Sequence, residues 1–145
     1  MPIGSFSASR EMIDFLADHP KLGQITTFGG HPVIAAAALA TLKEISQSNL
    51  IQETLEKEKF IREKLQHPLI AEIRGKGLML CAMTKSAYYT NRVVLEAQHK
   101  GLILFWLLYE PKAIRITPPL TISIQELEKG CNIILEILDG LEKEC

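Results

Sequence analysis

The clearest hydrophobic period lies near the C-terminus. Ile124, Leu127, Cys131, Ile134, Leu138 and Leu141 step by three and four residues, which predicts one buried face of a helix. Ser123-Ile-Gln-Glu126 reads as a capping box that starts it. A second helix is predicted from Asn49, with Gln52 as a capping-box partner. Ile51, Leu55, Ile61 and Leu65 form its apolar face, Glu53, Glu56, Lys57 and Lys59 its solvated side, and His67-Pro68 its stop. A third carries Val93, Val94 and Ala97, is capped at Thr90 or Asn91, and ends at Gly101. Between these, Ile70 to Met83 alternates and then turns continuously apolar. This predicts a strand pair or one kinked strand, and Gly75 and Gly77 mark a bulge or a close backbone approach. Leu102 to Leu108 is apolar throughout, which predicts a buried strand. Glu110-Pro-Lys112 reads as a turn, and Ala113 to Thr117 as a short strand stopped by Pro118-Pro119.

The N-terminal part follows another pattern. Residues 1–9 suit a turn and a short strand, and Ser9 to Leu16 a short helix capped by Ser9. Residues 18–23 form a loop. Ile-Thr-Thr-Phe-Gly-Gly-His-Pro then opens a helix in which Pro32 occupies the first turn and His31 lies at or near the N-cap. Ala35, Ala36, Ala37, Ala38 and Ala40 permit close approach on more than one face, so this helix, running to about Ser46, is expected to be buried. The fold class is α/β. Residues 49–145 read as a compact unit of helix, strands, helix, strands and helix. Residues 1–48 have no sheet of their own, and the helix after Pro32 leads from one part to the other.

Composition narrows the function classes. The chain has 145 residues, 47% hydrophobic and 23% charged, with a net charge of -1. That balance gives no electrostatic reason to expect nucleic acid or an anionic membrane as a partner. Cys81, Cys131 and Cys145 show no close pairing, which suits reduced thiols in the cytoplasm. His19, His31, His67 and His99 are far apart, so spacing predicts no metal site. No apolar run reaches the roughly 18 residues of a membrane span. The start lacks a signal-peptide profile, and Pro-Ile-Gly after Met1 resembles the inside of a turn.

Two places could carry chemistry. Thr26, Thr27, Gly29 and Gly30 stand before a helix N-terminus, where hydroxyls, bare backbone and the helix dipole suit an anion such as phosphate. The same residues also read as a Gly-Gly turn with a capping threonine. Arg115, at the end of a strand before a rigid Pro-Pro turn, could grip a carboxylate bidentately, or pair with a structural Asp or Glu. Arg74 beside its glycines reads as part of the strand geometry, and Trp106 as core or interface.

The order of MPIGSFSAS, TTFGGHP with the alanine helix, IRGKGLML, KGLIL and IRITPPLTIS before a closing amphipathic helix resembles the class III aminotransferases. These are pyridoxal-phosphate enzymes of the acetylornithine, ornithine and 4-aminobutyrate aminotransferase type. The resemblance spans essentially the whole chain. It implies the C-terminal part of a fold-type I pyridoxal-phosphate-dependent transferase, in which residues 1–48 end the large cofactor-binding domain and residues 49–145 form the small α/β domain. It implies further that the Schiff-base lysine and the aspartate for the pyridine nitrogen lie upstream of Met1, so this chain holds no catalytic residue and is inactive alone. Thr27 matches the residue that reaches the cofactor phosphate of the partner subunit in a homodimer, and Arg115 the receiver of the substrate carboxylate. The amino group would pass from an amino acid to the cofactor and on to a 2-oxo acid. His31 departs from the family's usual asparagine before the proline, but it too can cap.

Two other classes fit parts of the sequence. Residues 49–145 could be a free-standing α/β interaction module without cofactor. Thr26, Thr27 and the helix mouth could serve a general phosphate-binding domain. As a fragment, the chain is also expected to self-associate through apolar surface around residues 1–40.

Overall fold

The computed structural model describes residues 2–18, 20, 21, 23 and 25–143, which fall into two compact units, 1–48 and 49–145. His19 and Cys145 lie outside the described residues.

In the first unit, α1 (Arg10–Asp18) begins where Ser9 Oγ accepts the Met12 N–H at 3.3 Å, as its sequence predicts. Residues 2–9 contain no strand. The expected strand does not form there, as no described segment pairs with residues 2–9 to supply a ladder. Helix α2 (Pro32–Gln47) has its proline in the first turn and is capped by His31, whose Nδ1 accepts the Val33 N–H at 3.3 Å. No residue of α2 is buried, contrary to the expectation from its alanines. Small side chains permit close packing, but only a neighbouring element can bury them.

The second unit is built on a sheet of order β1-β2-β4-β3, antiparallel at every pairing. The strands are β1 (Ile70–Lys76), β2 (Met79–Thr84), β3 (Phe105–Leu107) and β4 (Glu110–Ile116). The helices are α3 (Leu50–Lys64), α4 (Ala87–His99) and α5 (Ile124–Lys143). Ile61 and Leu65 from the α3 region, Val93 and Ala97 from α4 and the stripe Leu127–Leu141 from α5 share one core with Leu80, Ala82, Ile114 and Ile116. Strand alternation therefore turns Arg115, between Ile114 and Ile116, to the opposite, exposed face.

The strand pair over 70–83 forms as predicted. Gly75 has φ +113, and a Cβ there would lie 2.1 Å from the Met79 carbonyl oxygen, so only glycine fits. The capping box of α5 is complete: Ser123 Oγ accepts the Glu126 N–H at 3.2 Å, and Glu126 Oε2 accepts the Ser123 N–H at 2.9 Å. Helix α4 ends at Gly101 (φ +81), whose N–H reaches Gln98 O while that of Leu102 reaches Ala97 O, a Schellman closure.

Several expectations change. Asn49 is the N-cap of α3 but makes no side-chain cap bond, so the box with Gln52 does not form. On α3, Ile51 and Leu55 are exposed, whereas Lys57 is buried and donates to Glu53 Oε2 at 3.0 Å and to the Leu120 carbonyl at 2.7 Å. A lysine is tolerated there because both partners satisfy its ammonium. Helix α4 starts after Ser86, and Thr90 lies inside it, fully buried, with its hydroxyl 2.8 Å from that of Thr84. Residues 102–108 hold only the short edge strand β3, with Phe105, Trp106 and Leu108 exposed. Apolar sequence indicates burial only where a second layer covers the strand. Glu110-Pro-Lys112 belongs to β4, and the chain turns at residues 108–109 instead.

Candidate functional site

Arg115 owes its position to β4. It stands opposite Cys81 of β2 and Phe105 of β3 in register. Its Nε donates to Thr117 Oγ1 at 3.2 Å, and its guanidinium carbon lies 5.4 Å from the centroid of the Phe105 ring. Among the described residues, Arg10, Arg62, Arg74 and Arg92 each pair with an acid, namely Asp14, Glu58, Glu72 and Glu96. Arg115 has no carboxylate within ion-pairing reach among those residues. The structural Asp or Glu that the sequence left open as its partner is therefore not found among them. Nη1 and Nη2 remain available as a two-pronged donor. Arg115 and Thr117 also contribute to the lining of a cavity of about 340 Å³ with Leu102, Ile116, Ile122 and Cys131.

Thr27 belongs to the first unit and is exposed in the turn at residues 27–30. That turn is closed by Gly29 N–H to Thr26 O at 3.0 Å and His31 N–H to Phe28 O at 3.2 Å. Gly30 has φ +71, a conformation that favours glycine, while a Cβ on Gly29 would meet Thr26 Oγ1 at 2.8 Å and displace that hydroxyl. The helix mouth itself offers less than its sequence suggests. Pro32 has no N–H, and His31 already occupies that of Val33. An anion here would meet the Thr27 hydroxyl and the unengaged amides of the turn rather than the end of the helix. A phosphate fits that arrangement, since the hydroxyl points to no protein partner among the described residues.

Other candidates recede. Arg74 is held by Glu72, whose carboxyl it keeps below the usual range. Burial pushes the Cys131 thiol up to about 11, which leaves it protonated and inert. Trp106 donates from Nε1 to Asn91 Oδ1 at 2.7 Å on the half-exposed edge.

A constellation that spacing did not reveal gathers His67, Asp139 and Glu142. His67 Nε2 lies 3.3 Å from Asp139 Oδ1 and 3.7 Å from Glu142 Oε2, and the imidazole is almost wholly buried. Its Nδ1 accepts the Leu69 N–H at 3.1 Å. An accepting Nδ1 places the ring proton on Nε2, so the nitrogen facing the carboxylates is a donor rather than a metal ligand. Sequence could not bring together residues on the α3–β1 link and the far end of α5. Phe105 was missed for a similar reason, because its pairing with Arg115 depends on strand register. Thr117 was legible in principle, two residues after Arg115 and on the same face of the strand.

Comparison with known proteins gives these residues a context. The family model "Aminotransferase class-III" matches residues 1–138. An acetylornithine aminotransferase of Caldanaerobacter subterraneus subsp. tengcongensis is 31% identical over 97% of the chain and 35% of its own length. An enzyme of the same name from Vibrio vulnificus is 34% identical over 89% of the chain and 32% of its own length. A putrescine aminotransferase of Pectobacterium atrosepticum is 32% identical over 99% of the chain and 31% of its own length. Among solved structures, the ornithine aminotransferase of Toxoplasma gondii matches with a TM-score of 0.75 and 26% identity over 88% of the chain and 32% of that protein. The chain spans about a third of the length of the curated relatives it matches.

Proposed function

The chain belongs to the class-III aminotransferases, and from that premise we propose that it is the C-terminal portion of a pyridoxal-phosphate-dependent enzyme. The enzyme moves an amino group from an amino acid of the acetylornithine, ornithine or 4-aminobutyrate kind to a 2-oxo acid. Residues 49–145 are its small domain and residues 1–48 the end of its large domain. The observation that carries this reading is Arg115, an exposed guanidinium with no carboxylate of its own among the described residues.

In this reading Arg115 receives the substrate carboxylate and fixes the substrate's orientation. Thr27 offers its hydroxyl to the cofactor phosphate of a partner subunit, so the working form is a homodimer. Bound pyridoxal phosphate supplies the electron sink that acidifies the C–H bond beside the amino group. The lysine that would carry the cofactor is not among this chain's residues, and the chain alone is inactive.

Titration of the purified chain with pyridoxal phosphate, then borohydride reduction and peptide mapping, tests the reading. Weak binding without a unique lysine adduct is expected. A stoichiometric adduct on one lysine, or measurable transamination by the chain alone, would overturn it. A second reading, an α/β interaction module working without cofactor, rests on the self-contained core of the second unit. It predicts that Thr27→Val leaves the residual cofactor affinity unchanged.

A further inference from the structure

Arg115 carries more information than its charge. A guanidinium can grip a carboxylate end-on through Nη1 and Nη2, or side-on through Nε and one Nη. Here the Nε–H is already donated to Thr117 Oγ1 at 3.2 Å, which removes the side-on grip. The Phe105 ring, 5.4 Å from the guanidinium carbon and directly across the β3–β4 register, covers the cation from its side. The two constraints come from different strands and act on different parts of one group.

The geometry points to Phe105 and Thr117 as the positioning residues that commit Arg115 to an end-on carboxylate grip. This rests on the reading of Arg115 as the carboxylate receiver and specifies how that site selects its ligand. A carboxylate arriving in the guanidinium plane at the Nη edge meets two parallel donors. One arriving at the Nε edge finds that hydrogen already engaged. The ring also lowers the entropy lost on binding, because the arginine is held in place before the ligand arrives. Such a site favours an unhindered terminal carboxylate whose chain runs straight away from the arginine.

The test uses the 145-residue chain with ¹⁵N-labelled arginine side chains and acetate as the probe. In the native chain the δ-methylene protons of Arg115 should be shifted upfield by the Phe105 ring current. Acetate should move the Nη signals while the Nε–H signal stays nearly still. Phe105→Leu should abolish the upfield shift and weaken acetate by about two- to five-fold, the cost of ordering a side chain that the ring no longer holds in place. Phe105→Tyr should restore both. Thr117→Val should bring the Nε–H into the titration. Backbone spectra check folding, and the half-exposed edge position of Phe105 leaves the core intact when it is truncated.

If the native chain shows no ring-current shift, or if both variants titrate like the native chain while Arg115→Gln abolishes binding, the positioning role is wrong and the carboxylate site stands. If Arg115→Gln leaves the acetate affinity unchanged, the carboxylate reading itself fails.

Discussion

Glu58 on α3 accepts the backbone N–H of Gly77 through Oε2 at 2.5 Å. Its other oxygen accepts the Nε–H of Arg62 at 2.9 Å, and Arg62 in turn donates to the carbonyls of Ile73 and Gly75. One helix thus holds the end of β1 and the first residue of the β1–β2 turn, on the sheet that presents Arg115. The Gly77 amide, then Arg62, hold the Glu58 carboxyl below its ordinary value. A depressed folded pKa means that this contribution to stability is complete above the unfolded value, about 4.3. It is lost as pH falls through the folded value. Glu58→Gln should therefore be less stable than the native chain in urea unfolding at pH 7, and the gap should close at acid pH. A gap of the same size at both pH values would show that the charge is not what holds the turn.

Gly75 and Gly140 make opposite predictions from the same substitution. At Gly75 an added Cβ collides with the Met79 carbonyl at φ +113. Gly75→Ala should cost about 3 kcal/mol or more, by strain at a glycine-only conformation. At Gly140, within α5, a Cβ meets nothing within 4 Å. Gly140→Ala should stabilise by about 0.5–1 kcal/mol through helix propensity and unfolded-chain entropy. Thermal or urea unfolding of the two variants reads both signs, and a neutral Gly75→Ala would contradict the hairpin geometry.

The features that could be read from sequence were local ones. The Ser123–Glu126 box, the Gly101 stop, the Ser9 cap and the two hairpin glycines each need only neighbours within a few residues, and each forms. Features that depend on what lies across the fold could not be read. The apolar run 102–108 became an exposed edge because the strand order places β3 outermost. Lys57 looked solvated until the Leu120 carbonyl arrived from 63 residues away. At the candidate site, Thr27 and Arg115 were recognisable as residues. The Phe105 stack came only with strand register, whereas the His31 cap was read from its place before Pro32 and Thr117 was legible in principle.

The buried hydroxyl pair explains why Thr90 sits inside α4 rather than at its start. Thr84 Oγ1 donates to a carbonyl, with Ser86 O the nearer at 2.7 Å, so the 2.8 Å contact is donated by Thr90. Thr90→Val keeps the volume but leaves an acceptor of Thr84 without its donor. It should cost about 1–3 kcal/mol, whereas Thr90→Ser should keep the bond and lose only a methyl group. Equal losses in the two variants would mean that packing, not the hydrogen bond, fixes the position.

Cys131 and Cys81 should separate cleanly in a labelling experiment. Cys131 is buried on α5, and desolvation raises its thiol to about 11. At pH 8 only about one molecule in a thousand would carry the thiolate, the form that reacts with iodoacetamide. Access is closed as well, because the sulfur packs in the core beside Ile134 and Leu127. Cys81 lies on β2 in register with Arg115 and is only partly covered. Native-state alkylation followed by peptide mapping should leave Cys131 unmodified until urea unfolds the second unit, when its labelling should follow the unfolding transition. Labelling of Cys131 well below that transition would show that the apolar cavity it lines with Arg115 and Thr117 opens without global unfolding. The core would then be looser around Cys131 than its packing implies.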